Sequence, residues 1–387
     1  RGGVVSARVL IALALLSPVM LSGCASIGDL QSFESDDATV RLESDEERIW
    51  YDANRFDRQL ANSRAVYDDP PLQDYLQSVT DRLFPEFVGT LRIYPFRGFQ
   101  PNAFVLPNGS IYFDVGLLTR LDNEAQLAAI IGHEGAHFME RHSLKSLRVT
   151  KRNMNAALVF QTVTGVPVVG QALAYSSMMG YSREFEREAD LLGYERMASA
   201  GYDVREAVRP FERLASEAAA LNYTVPIFFS SHPRMSERVA SFRALSLGAP
   251  EGGERNGDEY LVRTRMAAGD TLEAYLERRE PEAVIFLLES EGLLQRFPES
   301  FQFYLAEAYR LRGQPGDDAR AEEAYRATLH TCPEHAPTHR AMGLLRMREG
   351  QRTAACDYLT RYLELDPDAP DRDYVELYLS RLREDTP

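Results

Sequence analysis

The sequence has little cysteine: Cys24, Cys332 and Cys356 are the only three in 387 residues. That is too few for a disulfide framework or for a zinc site built on four thiolates. Metal chemistry, if present, must come from histidine and carboxylates, and histidine is also scarce, at seven. Basic residues are outnumbered, 43 Lys+Arg against 58 Asp+Glu, for a formal net charge of −15. A phosphate-neutralising surface is excluded by that balance, so nucleic acid is not an expected partner. What remains is ordinary for a globular chain, 44% apolar and 26% charged, and long enough for two or three domains.

The chain opens with Arg1 and Arg8 and then runs apolar over Val9–Leu21. This stretch falls short of the roughly 20 residues that span a bilayer. A basic start, a short apolar run and small residues after it describe a secretory signal. Leu21-Ser22-Gly23-Cys24 resembles the bacterial lipobox, whose cysteine thiol carries a thioether lipid. The alternative is a plain cleaved signal with a chance cysteine. Residues 1–23 are therefore read as a lipoprotein signal and 24–44 as a Ser- and Asp-rich tether. Acyl chains at about 0.8 kcal/mol per buried methylene anchor firmly when several are present. The absence of Asp at positions 25 and 26 resembles the sorting pattern of outer-membrane lipoproteins.

From Asp45 to about Phe84 the apolar period is helical, interrupted at Pro70-Pro71. The period then changes. Arg92–Tyr94 is a strand candidate, and Ala103–Leu106 and Ser110–Phe113 flank Pro107-Asn108-Gly109. Asn-Gly between apolar runs predicts a hairpin whose two central turn residues have positive φ. Asn123 predicts a helix start, with Gln126 as capping-box partner. Leu127, Ile130, Ile131 and Phe138 form its apolar stripe. Residues 153–182 carry no charge, but Gln161, Pro167 and Gln171 interrupt them. They read as two short helices joined at Gly165–Gly170, with a membrane-embedded element as the alternative. Tyr181–Ala200 is a further helix, stopped by Gly201.

Gly248–Asp258 is a linker by composition. Beyond it come helical hairpins. Pro333 and Pro367 are 34 residues apart, the tetratricopeptide period. Gly313 and Gly350 are 37 apart, which predicts an insertion of about three residues near Gln314–Asp317 in the first unit. A degenerate third unit is expected at Thr271–Phe297, giving the three that a stable stack needs. Cys332 and Cys356 lie near helix ends there, either paired in an oxidising compartment or free and buried.

The chemistry centres on His133-Glu134-Gly135-Ala136-His137. Residues four apart lie on one helix face, so two imidazoles can bind one Zn²⁺. Glu134, beside the first ligand, is placed to take the proton of an attacking water that the metal acidifies. A catalytic zinc needs a third protein ligand. His142, five residues past His137, turns off the shared face, and Arg141 and Lys145 suggest a wet surface there. The better source is Tyr181–Asp190, where Glu186 and Asp190 stand four apart on one helix. Glu186 can ligate while Asp190 accepts the free N–H of a ligand histidine.

These residues resemble the M48 peptidases. The resemblance rests on His133–His137 followed by Glu186-x-x-Ala189-Asp190, on Pro101-Asn102-Ala103-Phe104, on Asn108–Tyr112 with Gly116-Leu117-Leu118, and on Ser231-His232-Pro233. It covers about residues 45–245, and the lipobox and C-terminal repeats are similar to the periplasmic branch of the family. The resemblance implies an α+β, mostly helical zincin-like domain at 45–247 with a small sheet. A linker at 248–258 and an α-helical tetratricopeptide-repeat domain at 259–387 follow. It places the third ligand at Glu186 rather than Glu184 or Glu188. It also implies that His232 blocks the water position of the zinc; the alternatives are a donor to the oxyanion and a turn histidine before Pro233. Asn102 and Ala103 open a strand that is either an edge pairing with an extended substrate or an ordinary core strand. The implied function is zinc-dependent cleavage of misfolded or unassembled envelope proteins at the periplasmic face of the outer membrane. The alternative is a chaperone or assembly scaffold whose proteolysis is rare or latent.

Overall fold

The computed structural model describes residues 30–33, 42–63, 65–98, 101–153, 181–221, 235–249, 251–297 and 301–384. Helix α1 (Ser44–Ala61) starts at a capping box between Glu43 and Glu46. Helix α2 (Pro70–Leu83) is capped by Asp69, which accepts the Leu72 N–H. Pro70 and Pro71 sit in its first turn, where a missing N–H loses nothing. Strands β1 (Arg92–Phe96), β2 (Ala103–Val105) and β3 (Ser110–Asp114) make a sheet in the order β1-β3-β2. β3 pairs parallel with β1 and antiparallel with β2.

The expected β2–β3 hairpin forms, but with another turn. Gly109 is left-handed at φ +83° and donates its N–H to the Leu106 carbonyl at 3.0 Å, while Asn108 has no positive φ. Pro107 holds its φ near about −65°, so the turn bends through Pro107-Asn108 and leaves the left-handed position to glycine. The Asn108 side chain instead bonds Asn54 and Asp57 of α1.

Helix α3 (Glu124–Met139) begins where Asn123 accepts the Gln126 N–H. The Gln126 side chain takes the N–H of Asp122 rather than that of Asn123, one residue off the expected box. Every residue of α3 is buried. It runs through the core beneath α2, the sheet and helices α5 (Arg183–Ser199), α6 (Arg209–Ala220) and α7 (Met235–Ser246). Helix α4 (His142–Asn153) follows α3 after a left-handed Arg141 at φ 56°.

Two stretches read as connectors are fastened down. Leu30–Phe33, inside the expected tether, straps across the end of α3. The Phe33 N–H donates to the Met139 carbonyl at 2.9 Å, Arg141 donates to the Gln31 carbonyl, and Leu30 packs with Ile49 and Leu144. Within the expected linker, Glu254 bridges Tyr202 and exchanges backbone bonds with Gly201 and Asp203. Arg255 bonds Asp203, and Asn256 donates to Glu124. A Cβ on Gly253 would lie 2.6 Å from the Asp203 backbone, so only glycine permits this approach.

Helix α8 (Gly257–Glu277) then joins two cores. Tyr260 and Ala267 belong to the first, Ala268, Leu272 and Tyr275 to the second. A helix Pro281–Ile285, a π-helical turn Phe286–Ser290 and a short helix Leu293–Arg296 pack against α8. Two hairpins follow, α9 (Gln302–Arg312) with α10 (Asp317–Thr331) and α11 (Ala336–Arg348) with α12 (Arg352–Leu365), and then α13 (Arg372–Glu384). The hairpins start and end 34 residues apart, so the first carries no net insertion. Its first helix simply stops early, at Gly313. Cys332 is exposed, Cys356 is half-buried, and both are free thiols. Among the described residues no helix is long and apolar enough to cross a membrane. Residues 154–180, the bulk of the uncharged run, lie outside the described residues, as does Cys24.

The junction yields a prediction. Asp203 accepts bonds from Arg205 and Arg255, which hold its carboxyl down at about 2. A carboxyl lowered in the folded state adds stability above its unfolded value, and that stability is lost as pH falls toward the folded one. Asp203→Asn should therefore lower stability at neutral pH in urea titrations, and the gap to wild type should close between about pH 4 and pH 2. An unchanged gap across that window would contradict this.

Candidate metal centre

The site exists because two helices cross very closely. A Cβ on Gly193 of α5 would lie 2.8 Å from the His133 nitrogen, and one on Gly132 of α3 would lie 3.0 Å from the Gly193 carbonyl oxygen. Any larger residue would separate the helices. Phe84 packs onto Gly135 so tightly that a Cβ there would overlap its ring. The motif's variable positions thus hold small residues because the helix is gripped on several sides.

At this crossing the Nε2 atoms of His133 and His137 stand 3.1 Å apart. The Glu186 carboxylate reaches both, 3.6 Å from each Nε2. All three side chains are buried, and their donor atoms lie within 4.8 Å of one another. Tetrahedral ligands at about 2.0–2.1 Å from a zinc ion are separated by roughly 3.3 Å. Lone pairs converging in a buried space repel unless a cation lies between them. The donors present therefore fit a divalent ion with two imidazoles and one carboxylate.

The surroundings set the tautomers. His133 Nδ1 lies 3.0 Å from Asp190 Oδ1, so with Nε2 turned to the ion the ring donates its Nδ1–H to Asp190. Arg238 of α7 also approaches that ring nitrogen, at 3.0 Å, but a second donor cannot use it. Its guanidinium instead grips Asp190, with Nη2 2.6 Å from Oδ1, and lies 3.7 Å from Glu186. Burial alone would lower the guanidinium's pKa, but the Asp190 and Glu186 charges outweigh it and hold Arg238 above its ordinary value. Its carbon sits 4.2 Å over the Phe211 ring. Glu134 is fully buried directly after His133, and its charge is felt by Arg238 and Tyr181.

Asn102 and Ala103 are fully buried at the start of β2, which is an edge strand of the sheet among the described residues. Among the described residues neither polar atom of the Asn102 side chain has a hydrogen-bond partner. His232 lies outside the described residues. His142 departs from expectation: it is 0% exposed and not on a wet surface. The left-handed Arg141, held in a buried ion pair with Glu46, turns the chain back so that His142 faces His137. Burial, with Lys145 adding to it, pushes the His142 pKa down to about 3, so this imidazole is neutral. Sequence reasoning also missed Arg238, which reads as one more charge on an amphipathic helix, and Tyr181, which stacks on His137 at 3.9 Å.

Residues 71–246 match peptidase family M48. A putative beta-barrel assembly-enhancing protease of Vibrio cholerae is 28% identical over 243 residues, 59% of this chain and 50% of that protein. The mitochondrial metalloendopeptidase OMA1 of Saccharomyces cerevisiae is 29% identical over 194 residues, 49% of this chain and 53% of that one. The beta-barrel assembly-enhancing protease of Escherichia coli is 26% identical over 228 residues, 54% of this chain and 46% of that one. The chain thus spans about half the length of the curated relatives it matches.

Removing Arg238 leaves the buried carboxylates of Glu134, Glu186 and Asp190 without its compensating charge. Arg238→Met should cost the metal-free protein on the order of 3 kcal/mol. It should cost the metal-loaded protein less, because the ion's own charge compensates. Denaturant unfolding with and without chelator measures both, and equal losses would refute the charge-balancing role.

Proposed function

Residues 71–246 form a peptidase family M48 domain, and from that premise we propose that the protein is a zinc-dependent endopeptidase of the bacterial periplasm. The reading is carried by one observation, the convergence of two imidazole nitrogens and one carboxylate at a buried point. His133, His137 and Glu186 hold the metal, and Asp190 orients His133. Bound zinc would polarise the scissile carbonyl and acidify water toward about pKa 7. Glu134 takes the proton from that water and delivers it to the leaving amine. Its burial keeps bulk water from competing for the proton. His232 follows as either a blocking ligand or an oxyanion donor.

An extended substrate adds to the edge of β2 away from β3, its one strand partner among the described residues. The buried Asn102 amide, which has no hydrogen-bond partner among the described residues, supports this, because such a group calls for one. The similarity to proteases named for enhancing β-barrel assembly supports envelope proteins as the substrate class. Hairpins repeating every 34 residues support a tetratricopeptide array at 259–387, which presents a concave surface to polypeptides. Residues 1–23 act as the signal, Cys24 carries the lipid anchor, the catalytic unit spans 45–247 and 248–258 joins it to the array.

Three experiments test this reading. Purified wild-type protein should contain one zinc per chain and His137→Ala little or none. Glu134→Gln should keep the metal and lose peptide hydrolysis by at least about 100-fold. A Glu134→Gln variant that retains full cellular function would favour the scaffold reading. Cys24→Ala should release the protein from membranes, and retention in the membrane fraction would count against the lipid anchor.

A further inference from the structure

His142 is a buried imidazole with both nitrogens engaged, and no step of the proposed hydrolysis uses it. Its Nδ1 lies 2.8 Å from Nδ1 of His137, and its Nε2 lies 3.1 Å from Oε2 of Glu188. Of two facing ring nitrogens one must donate and the other accept. His137 turns its Nε2 toward His133 and Glu186, so its proton resides on Nδ1. His142 Nδ1 is then the acceptor, its own proton sits on Nε2, and Glu188 receives it. The tautomers along the line are fixed from both ends.

We propose that His142 is the positioning residue for His137, accepting the N–H of that ligand and linking it to Glu188. This rests on the reading of His133, His137 and Glu186 as metal ligands. The two histidine ligands are then supported unequally: His133 by the buried carboxylate of Asp190, His137 by a neutral imidazole that ends on a carboxylate 45% exposed.

The packing favours orientation over mere filling. His142 stacks on Phe185 at 4.3 Å and His137 stacks on Tyr181 at 3.9 Å, each pair within 15° of parallel. Tyr181 in turn hydrogen-bonds Ser143 at 3.0 Å. Two plates thus fix both rings in the planes that their shared bond requires. Helix α5 supplies the third ligand, both carboxylates that end the histidine lines, and the Phe185 plate. The left-handed backbone of Arg141 is strained, and what that conformation achieves is the return of His142 onto His137.

The test uses full-length protein and equilibrium competition for zinc against a chelator, with cobalt(II) absorption spectra as a second readout. His142→Leu should weaken zinc binding by roughly 10–100-fold and alter the cobalt spectrum. His142→Gln, whose side-chain oxygen can accept the His137 N–H, should stay within about 3-fold of wild type, and Glu188→Gln should lose about 3-fold. Thermal unfolding of the metal-free forms separates a packing effect, which would lower the midpoints without distinguishing Leu from Gln in zinc affinity. Wild-type affinity in His142→Leu, or no rescue by Gln, would overturn the proposal. Should His142→Leu not fold, wild-type affinity in Glu188→Gln together with a loss beyond about 30-fold in His142→Gln would overturn it. A wild-type protein that takes up no zinc would instead overturn the reading on which it rests.

Discussion

The crossing of α3 and α5 at Gly132 and Gly193 is the constraint on which the site depends. Without side chains at those positions the two backbones come into direct contact, and only then can a carboxylate on one helix reach imidazoles on the other. The same approach concentrates charge, because Glu134, Glu186 and Asp190 are all buried. Arg238 meets part of that demand from a third helix. An isolated buried carboxylate is strongly disfavoured, so the position of α7 is as much a condition of the site as the two helices that cross.

Around this crossing the fold works as a clamp. Phe84 presses on Gly135, the strap at Leu30–Phe33 closes over the end of α3, and the junction at Glu254–Asn256 bonds to Asp203 and Glu124. The helical array is not hung on a free linker. The fully buried Arg120 pairs with Glu217 and also bonds Gly116 and the Tyr275 hydroxyl of α8 at 3.0 Å. Such a buried pair is weak evidence of added stability, but breaking it is costly. It ties α8 to the first core, and the two cores share α8 as a common strut.

Local features were legible in the sequence wherever a short-range rule determined them. The helical period around Leu127–Phe138, the Asn123 cap, the β2–β3 hairpin and the 34-residue spacing all depend on neighbours within a turn or two. The Asn-Gly preference alone points to the wrong turn at Pro107–Gly109, because the fixed φ of the preceding proline overrides it. The spacing of Gly313 and Gly350 suggests an insertion that the first hairpin lacks, because a glycine marks where a helix stops and not how long the hairpin is. His142 was assigned to water on the character of its neighbours, although Arg141 is itself buried against Glu46. The parallel pairing of β1 with β3 had no sequence signal, since strand pairing is a contact at a distance.

By itself the sequence determined that two imidazoles share one helical face with a glutamate beside the first, because a helical turn brings residues four apart together whatever surrounds them. It also nominated Glu186 and Asp190 as a pair on a second helix. Only the tertiary structure decided that this carboxylate meets those rings, that Arg238 lies beneath them and that His142 folds back to face His137. Those outcomes depend on how closely whole helices pack and on which charges are buried together. Separation between helices is set by side chains from distant parts of the chain, and no local period encodes it.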